Sequence, residues 1–255
     1  MKTSHVTAFF QLIFYALCLP LMKFFCRLEV AGRENLKALP PAFIIAANHA
    51  AEIDSPFVRA ALPFFSRYAP VYFVSNTRDR FHGYGWRSLF YGGRIFALLG
   101  GYPVYKGHHD YAYALQNHLR LLREGAVVSI FPEGKISRSG ALGEAHGGVA
   151  FLAKETDSPV LPVAISGLYG MTFADFFLRR RRAFVRIGAA LLPNEIVPEA
   201  APAVDDYKRG AEAVMRSIGG LLAEEKRSAI PVPLTPLKVV EPANSTMHIH
   251  EQTPR

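Results

Sequence analysis

The residues of this chain best suited to proton transfer are His49 and Asp54, in the stretch "AANHAAEIDSP" that runs from Ala46 to Pro56. Two readings of the pair are open. In the first, Asp54 folds back onto one imidazole nitrogen and fixes the tautomer, leaving the other nitrogen to take a proton from a hydroxyl group. In the second, Asp54 only caps a helix beginning near Ser55, and His49 satisfies a local hydrogen bond. A second group lies in "SIFPEGKISRSG", Ser129 to Gly140. There Pro132 stops ladder bonding and Gly134 permits a tight turn, which holds Glu133 at a strand mouth with Lys135 and Arg138 close behind. A carboxylate flanked by cations suits substrate positioning, and it equally suits a surface salt bridge. Two weaker blocks are "LLGGYPVYKG", which carries Lys106, and "SPVLPVAISG". In the latter Pro162 interrupts an apolar run, which argues for an edge strand or a bulge.

These groups need a scaffold, and the patterning supplies one. Short runs rich in Val, Ile and Phe predict strands at Ala42–Ala47, Val71–Val74, Ala126–Phe131, Val160–Ile165 and Phe184–Ile187. Helical candidates cover 55–65, 86–99, 111–124, 145–156 and 204–226. The alternation predicts an α/β fold with a largely parallel central sheet flanked by helices. Reactive groups in such sheets sit just past the carboxyl ends of strands, where Asn48-His49 and Pro132-Glu133-Gly134 both fall.

The chain has 255 residues, half of them hydrophobic, and a net charge of +8. That length buries a sizeable core, and the charge points to an anionic partner: nucleic acid, a membrane surface, or phosphorylated or CoA-like substrates. Cys18 and Cys26 give neither a disulfide framework nor metal-type spacing, which fits a reducing compartment. Val6–Met22 is apolar apart from Thr7 and Gln11, at the lower edge of bilayer-spanning length, with Pro20 expected to kink or end its helix. We expect an N-terminal membrane-associating helix or helical hairpin in residues 1–27, embedded without crossing. A full span, a signal sequence and a buried core helix are the alternatives. One folded domain over 28–227 would follow, then a Pro- and Thr-rich tail, 228–255, without amphipathic period and expected to be disordered.

Taken together and in order, "NHAAEID", "GGYPVYK", "FPEG" and "VLPVAI" closely resemble the four sequence blocks of the glycerolipid acyltransferase family, which includes bacterial 1-acyl-glycerol-3-phosphate acyltransferases. The resemblance runs from about Leu28 to about Pro193. It implies an α/β domain that docks on a membrane through N-terminal helices. It also implies attack of an acceptor hydroxyl on the thioester of acyl-CoA or acyl-carrier protein, with His49 as base and Asp54 as its orienter. Glu133 and Gly134 would help position the acceptor, a lysophospholipid, while Pro162 would shape the acyl or acceptor channel. No metal or cofactor is expected beyond the thioester co-substrate. The implied location is the cytoplasmic face of a bacterial inner membrane.

The chain also departs from the family pattern. Lys106 stands where members with a phosphomonoester acceptor carry Arg, and Ile136 of "EGKIS" stands where "EGTRS" has its Arg. An Arg fork grips phosphate at two points and a Lys only as a point charge. Lys135, Arg138, Arg78 or Arg80 would have to substitute, so the acceptor is either lysophosphatidic acid or another lysolipid or hydroxylated lipid. The four arginines in "FLRRRRAFVRIG", Phe177 to Gly188, come without a recognition helix or RNA-binding signature. Beside an apolar N-terminus they fit anionic headgroups better than a plain solvated loop, and a solvated loop better than nucleic acid. The pairs His108-His109 and His248/His250 lack a third metal ligand at useful spacing. The aromatic-rich 81–96 stretch reads as part core and part interfacial belt. A non-catalytic lipid-binding protein has no need of a general base, and a hydrolase would put water in place of the acceptor.

Overall fold

The computed structural model describes residues 5–75, 94–105 and 110–229. Lys106, Arg78, Arg80, both His pairs, most of the 81–96 stretch and the tail from 230 lie outside the described residues. A sheet with strand order β1-β7-β6-β2-β5-β3-β4 forms the centre. The strands are β1 (Glu29–Ala31), β2 (Ile44–Ala47), β3 (Val71–Ser75), β4 (Gly101–Pro103), β5 (Val127–Ile130), β6 (Val160–Ser166) and β7 (Phe184–Ile187). All neighbouring strands pair in parallel except β6 with β7. The five expected strands are present. The two further strands, β1 and β4, are three-residue edges too short to show a period.

Helices cover both faces. On one lie α1 (His5–Phe25) and α2 (Asp54–Ala61), which pack Tyr15, Met22, Phe57 and Val58 onto Ile45, Leu161 and Val163. On the other lie α5 (Gln116–Arg123), α6 (Gly148–Thr156) and α9 (Val204–Ala229), around Leu119, Val149, Leu152 and Val214. Alternate residues of each strand serve opposite faces, so the central strands read as unbroken apolar runs. Four further helices are short: α3 (Arg94–Leu98), α4 (Tyr111–Ala114), α7 (Phe173–Phe177) and α8 (Pro193–Ile196).

Connectivity makes a crevice at the sheet's centre. The chain leaves β2 through α2 and passes over β5 to reach β3; it leaves β5 through α6 and passes over β2 to reach β6. Adjacent strands β2 and β5 therefore send their loops to opposite faces, which opens a cleft between their carboxyl ends.

Pro162 does not sit on an edge, because β6 lies between β2 and β7. The bulge reading is the one that holds. Val163 pairs with Ile187 and Val160 with Leu191, so Gly188, Ala189 and Ala190 stand opposite only Leu161 and Pro162. The extra residue falls where the ring has no N–H to offer the ladder. Pro162 is buried beside Gly188 and faces α9.

Helix α1 runs through Pro20 to Phe25 rather than ending there. Met22 and Cys26 are buried, and Cys26 is bonded at both backbone groups, to Met22 and to Ala183, which anchors the turn beyond the proline. Its buried residues are Thr7, Gln11, Tyr15 and Met22, a stripe at helical spacing. The two polar interruptions of the apolar run thus face inward. The Gln11 amide donates to Val71 O and to Leu99 O (2.9 Å), and its oxygen accepts from Val71 N–H at 3.1 Å. Phe9, Phe10, Ile13, Phe14 and Leu17 face outward.

Candidate active site

Strand β2 delivers Asn48 and His49 to the mouth of the crevice. Beyond the last β2–β6 pair, Ala47 with Val163, the Asn48 side chain adds one more rung. Its Nδ2–H donates to Ile165 O at 2.9 Å and its Oδ1 accepts from Ile165 N–H at 2.7 Å. The chain therefore leaves the sheet at a fixed point just before His49.

Asp54 is the first residue of α2, and Ile53 occupies the cap position. Its Oδ2 accepts from His49 Nδ1 at 2.9 Å and from the N–H groups of Ala50 (2.7 Å) and Ala51 (2.8 Å). The acceptance runs backward into the loop instead of forward into the helix, which rules out the plain capping reading. The Asp54 side chain is fully buried and that of His49 is 18 % exposed. A carboxylate oxygen can only accept, so Nδ1 carries the proton and Nε2 is left with its lone pair. The imidazole stacks on Phe131, centroids 4.1 Å apart and planes 11° from parallel.

Backbone contacts clamp His49 on both sides. Its N–H donates to Glu133 Oε1 at 2.9 Å, and its C=O accepts from Ser137 N–H at 2.8 Å. The second Glu133 oxygen accepts from Gly143 N–H at 2.8 Å, and the side chain is buried. Gly134 adopts φ +62° and lies against His146, where an added Cβ would come within 3.1 Å of Cδ2. Lys135, Ile136 and Arg138 are exposed on the same loop, and Arg138 O accepts from the Tyr169 hydroxyl at 2.7 Å.

The structure thus brings His49, Asp54 and Glu133 into one hydrogen-bonded unit, with Gly134, Lys135 and Arg138 on the loop tied to it. Pro162 lies deeper in β6. Asn48, Phe131, Ser137 and Gly143 also belong to the site, and sequence reasoning gave none of them a role. The only hint was their place inside or beside the quoted blocks.

The acyltransferase family model matches residues 27–166, a span that includes every one of these site residues. The chain belongs to the acyltransferase family. It is an enzyme of acyl transfer. Among solved structures the acyltransferase is similar to the 1-acyl-sn-glycerophosphate (LPA) acyltransferase PlsC from Thermotoga maritima. The two share a TM-score of 0.56 at 22 % identity, over 86 % of this chain and 79 % of that one. At that identity the likeness speaks for the fold, a mostly parallel sheet with flanking helices.

Proposed function

We propose that this acyltransferase moves a fatty acyl chain from an acyl-CoA or acyl-carrier-protein thioester to the hydroxyl of a lysophospholipid such as 1-acyl-glycerol-3-phosphate. The carrying observation is the His49–Asp54 pair, with Nδ1 bound to a buried carboxylate and Nε2 unengaged by it. In this scheme Nε2 takes the acceptor's hydroxyl proton as its oxygen attacks the thioester carbonyl. A carbon–oxygen bond forms, the carbon–sulfur bond breaks, and the proton on His49 passes to the departing sulfur. Asp54 stabilises the transient imidazolium, and the acceptor itself supplies the nucleophile that a Ser would supply in a triad. Glu133 holds the His49 backbone in place, acting on the acceptor through the base rather than by contact. The scheme needs no metal and no cofactor.

The acceptor's charge is read from the cations near the site. The Ser137 N–H ties the Lys135–Arg138 loop to the His49 carbonyl, which supports these two cations as the groups that meet an acceptor's phosphate. Lys106 is assigned to the same phosphate from the family pattern alone. Ile136 favours the second reading, an acceptor without a phosphomonoester, since it offers nothing to a phosphate. Membrane association is supported by α1, which docks through its inward stripe of Thr7, Gln11, Tyr15 and Met22 and leaves Phe9, Phe10, Ile13, Phe14 and Leu17 facing outward, as a helix lying in the interface would. A bacterial inner membrane, with the site on the cytoplasmic face where thioester donors are made, is the location this reading carries.

Acyl-CoA and acyl-carrier protein offered against a panel of lysolipids test the reading. Transfer to lysophosphatidic acid, with Lys106→Ala raising KM for that acceptor and not for the thioester, is expected. Transfer only to acceptors without a phosphomonoester establishes the second reading, and release of free fatty acid in place of transfer defeats both.

A further inference from the structure

We propose that the segment from Phe173 to Arg182 is a second membrane contact, which binds anionic headgroups and turns the carboxyl edge of the sheet, with His49, toward the bilayer. The proposal rests on the reading that the enzyme works on lipid at a membrane surface, and it adds a site outside α1. Helix α7 holds Phe173 at 82 % exposure and Phe177 at 63 %, followed by exposed Leu178. An apolar tip of this kind on an ordered element marks an interaction surface. It is ordered because Thr172 and Asp175 form a capping box. Asp175 Oδ2 accepts from Thr172 N–H (3.0 Å) and Oγ1–H (2.8 Å), and Asp175 N–H donates back to Oγ1 at 3.1 Å.

The element is fused to the end of α1. The Phe176 ring lies 4.8 Å from Phe25 and the Phe177 ring 5.6 Å from it. Arg179 Nε–H donates to Phe24 O at 3.0 Å, with its guanidinium 4.4 Å from the Phe24 ring centre. The apolar face of α1 therefore continues into α7 and ends in a collar of arginines. Arg180 and Arg181 are exposed and form no ion pair among the described residues, and Arg182 meets Glu29 only at 3.8 Å with both side chains exposed. Cations beside exposed aromatic and aliphatic groups match the two layers of an anionic bilayer surface, headgroup and acyl chain.

Orientation follows from register. Strand β7 begins at Phe184, which pairs with Ser166 at the carboxyl end of β6. Because β7 is antiparallel, its start lies at the edge where parallel β2 and β5 end, the edge that carries His49 and Phe131. A contact made there presents the site to lipid without a long excursion of the acceptor.

The test is flotation of the full-length chain with vesicles of phosphatidylcholine alone or mixed with phosphatidylglycerol. It compares wild type with the double variant Arg180→Gln/Arg181→Gln, alongside acyl transfer to an acceptor dispersed below its micellar concentration. Wild type should prefer the anionic vesicles. The double variant should bind them about 30-fold more weakly, the loss expected for two cations near an anionic leaflet, with turnover of the dispersed acceptor unchanged. Equal binding of the two proteins to anionic vesicles overturns the proposal while leaving the acyl-transfer reading intact. Wild type that floats with no vesicle overturns the membrane reading itself. A loss seen for a DNA or RNA oligonucleotide and not for vesicles overturns the lipid assignment of these arginines.

Discussion

Glu133 Oε1 accepts the backbone N–H of His49 at 2.9 Å while its other oxygen accepts the N–H of Gly143 at 2.8 Å. One buried carboxylate thus joins the loop after β2 to the loop after β5. In Glu133→Gln one of those N–H groups must face an NH2, which leaves a buried donor unpaired at a cost of about 1–3 kcal/mol. We expect kcat to fall about tenfold or more, because small displacements of a base are expensive, while KM for the thioester moves little. Steady-state kinetics beside a thermal melt separates the cases. A lowered melting temperature with unchanged kcat would reduce Glu133 to a structural role.

Asp54→Asn distinguishes orienting from capping. Asn caps a helix as well as Asp does, so a residue that only capped α2 would tolerate the change. An orienter would not, since an amide can donate to Nδ1 and favour the wrong tautomer. A loss of about 10²–10⁴ in kcat is expected, as for the corresponding carboxylate of a triad. Activity within a few-fold of wild type would contradict the assignment.

The sequence made the central strands legible because β2, β5 and β6 are buried on both faces and must be apolar throughout. It also placed His49 and Glu133 correctly, each just after such a strand. The Glu133 clamp was not legible. Nothing in "FPEG" says that both oxygens are taken by backbone N–H groups from two separate loops. Gly143 was hidden for the same reason, since its value lies in contact: an added Cβ would sit 2.9 Å from Glu133 Oε2. The orientation of α1 was half legible. Thr7 and Gln11 were seen as interruptions of an apolar run, but only the fold shows that Gln11 completes the bonding of Val71.

That inward stripe separates the docking of α1 from the lipid contact proposed for its outward face. Gln11→Leu strands the N–H and C=O of Val71, costing about 1–3 kcal/mol for each group left unpaired, and should lower the melting temperature by several degrees. Leu17→Ser lies on the outward face, where the side chain is 66 % exposed, and should leave the melt unchanged while weakening vesicle binding. Calorimetry and flotation on both variants check this, and a stable Gln11→Leu protein would refute the docking role.

His118 adds a pH dependence remote from the chemistry. Burial pushes its imidazole from 6.5 down to about 4, with the backbone of Phe73 and Tyr102 opposing the shift. The folded protein therefore refuses a proton that the unfolded chain accepts. Stability is lost as pH falls from about 6.5 to about 4, and no more is lost below that window. Denaturant midpoints at several pH values should fall less steeply for His118→Leu than for wild type across this window. Parallel curves would show that His118 does not set the slope.

The most direct measurement is acyl transfer from thioester to lysophospholipid by His49→Ala, with the fold verified by an unchanged melting temperature. Loss of about 10³-fold or more in kcat, with KM for the thioester nearly unaltered, is the result expected of a general base acting with its orienter. Full activity in His49→Ala would contradict the mechanism outright.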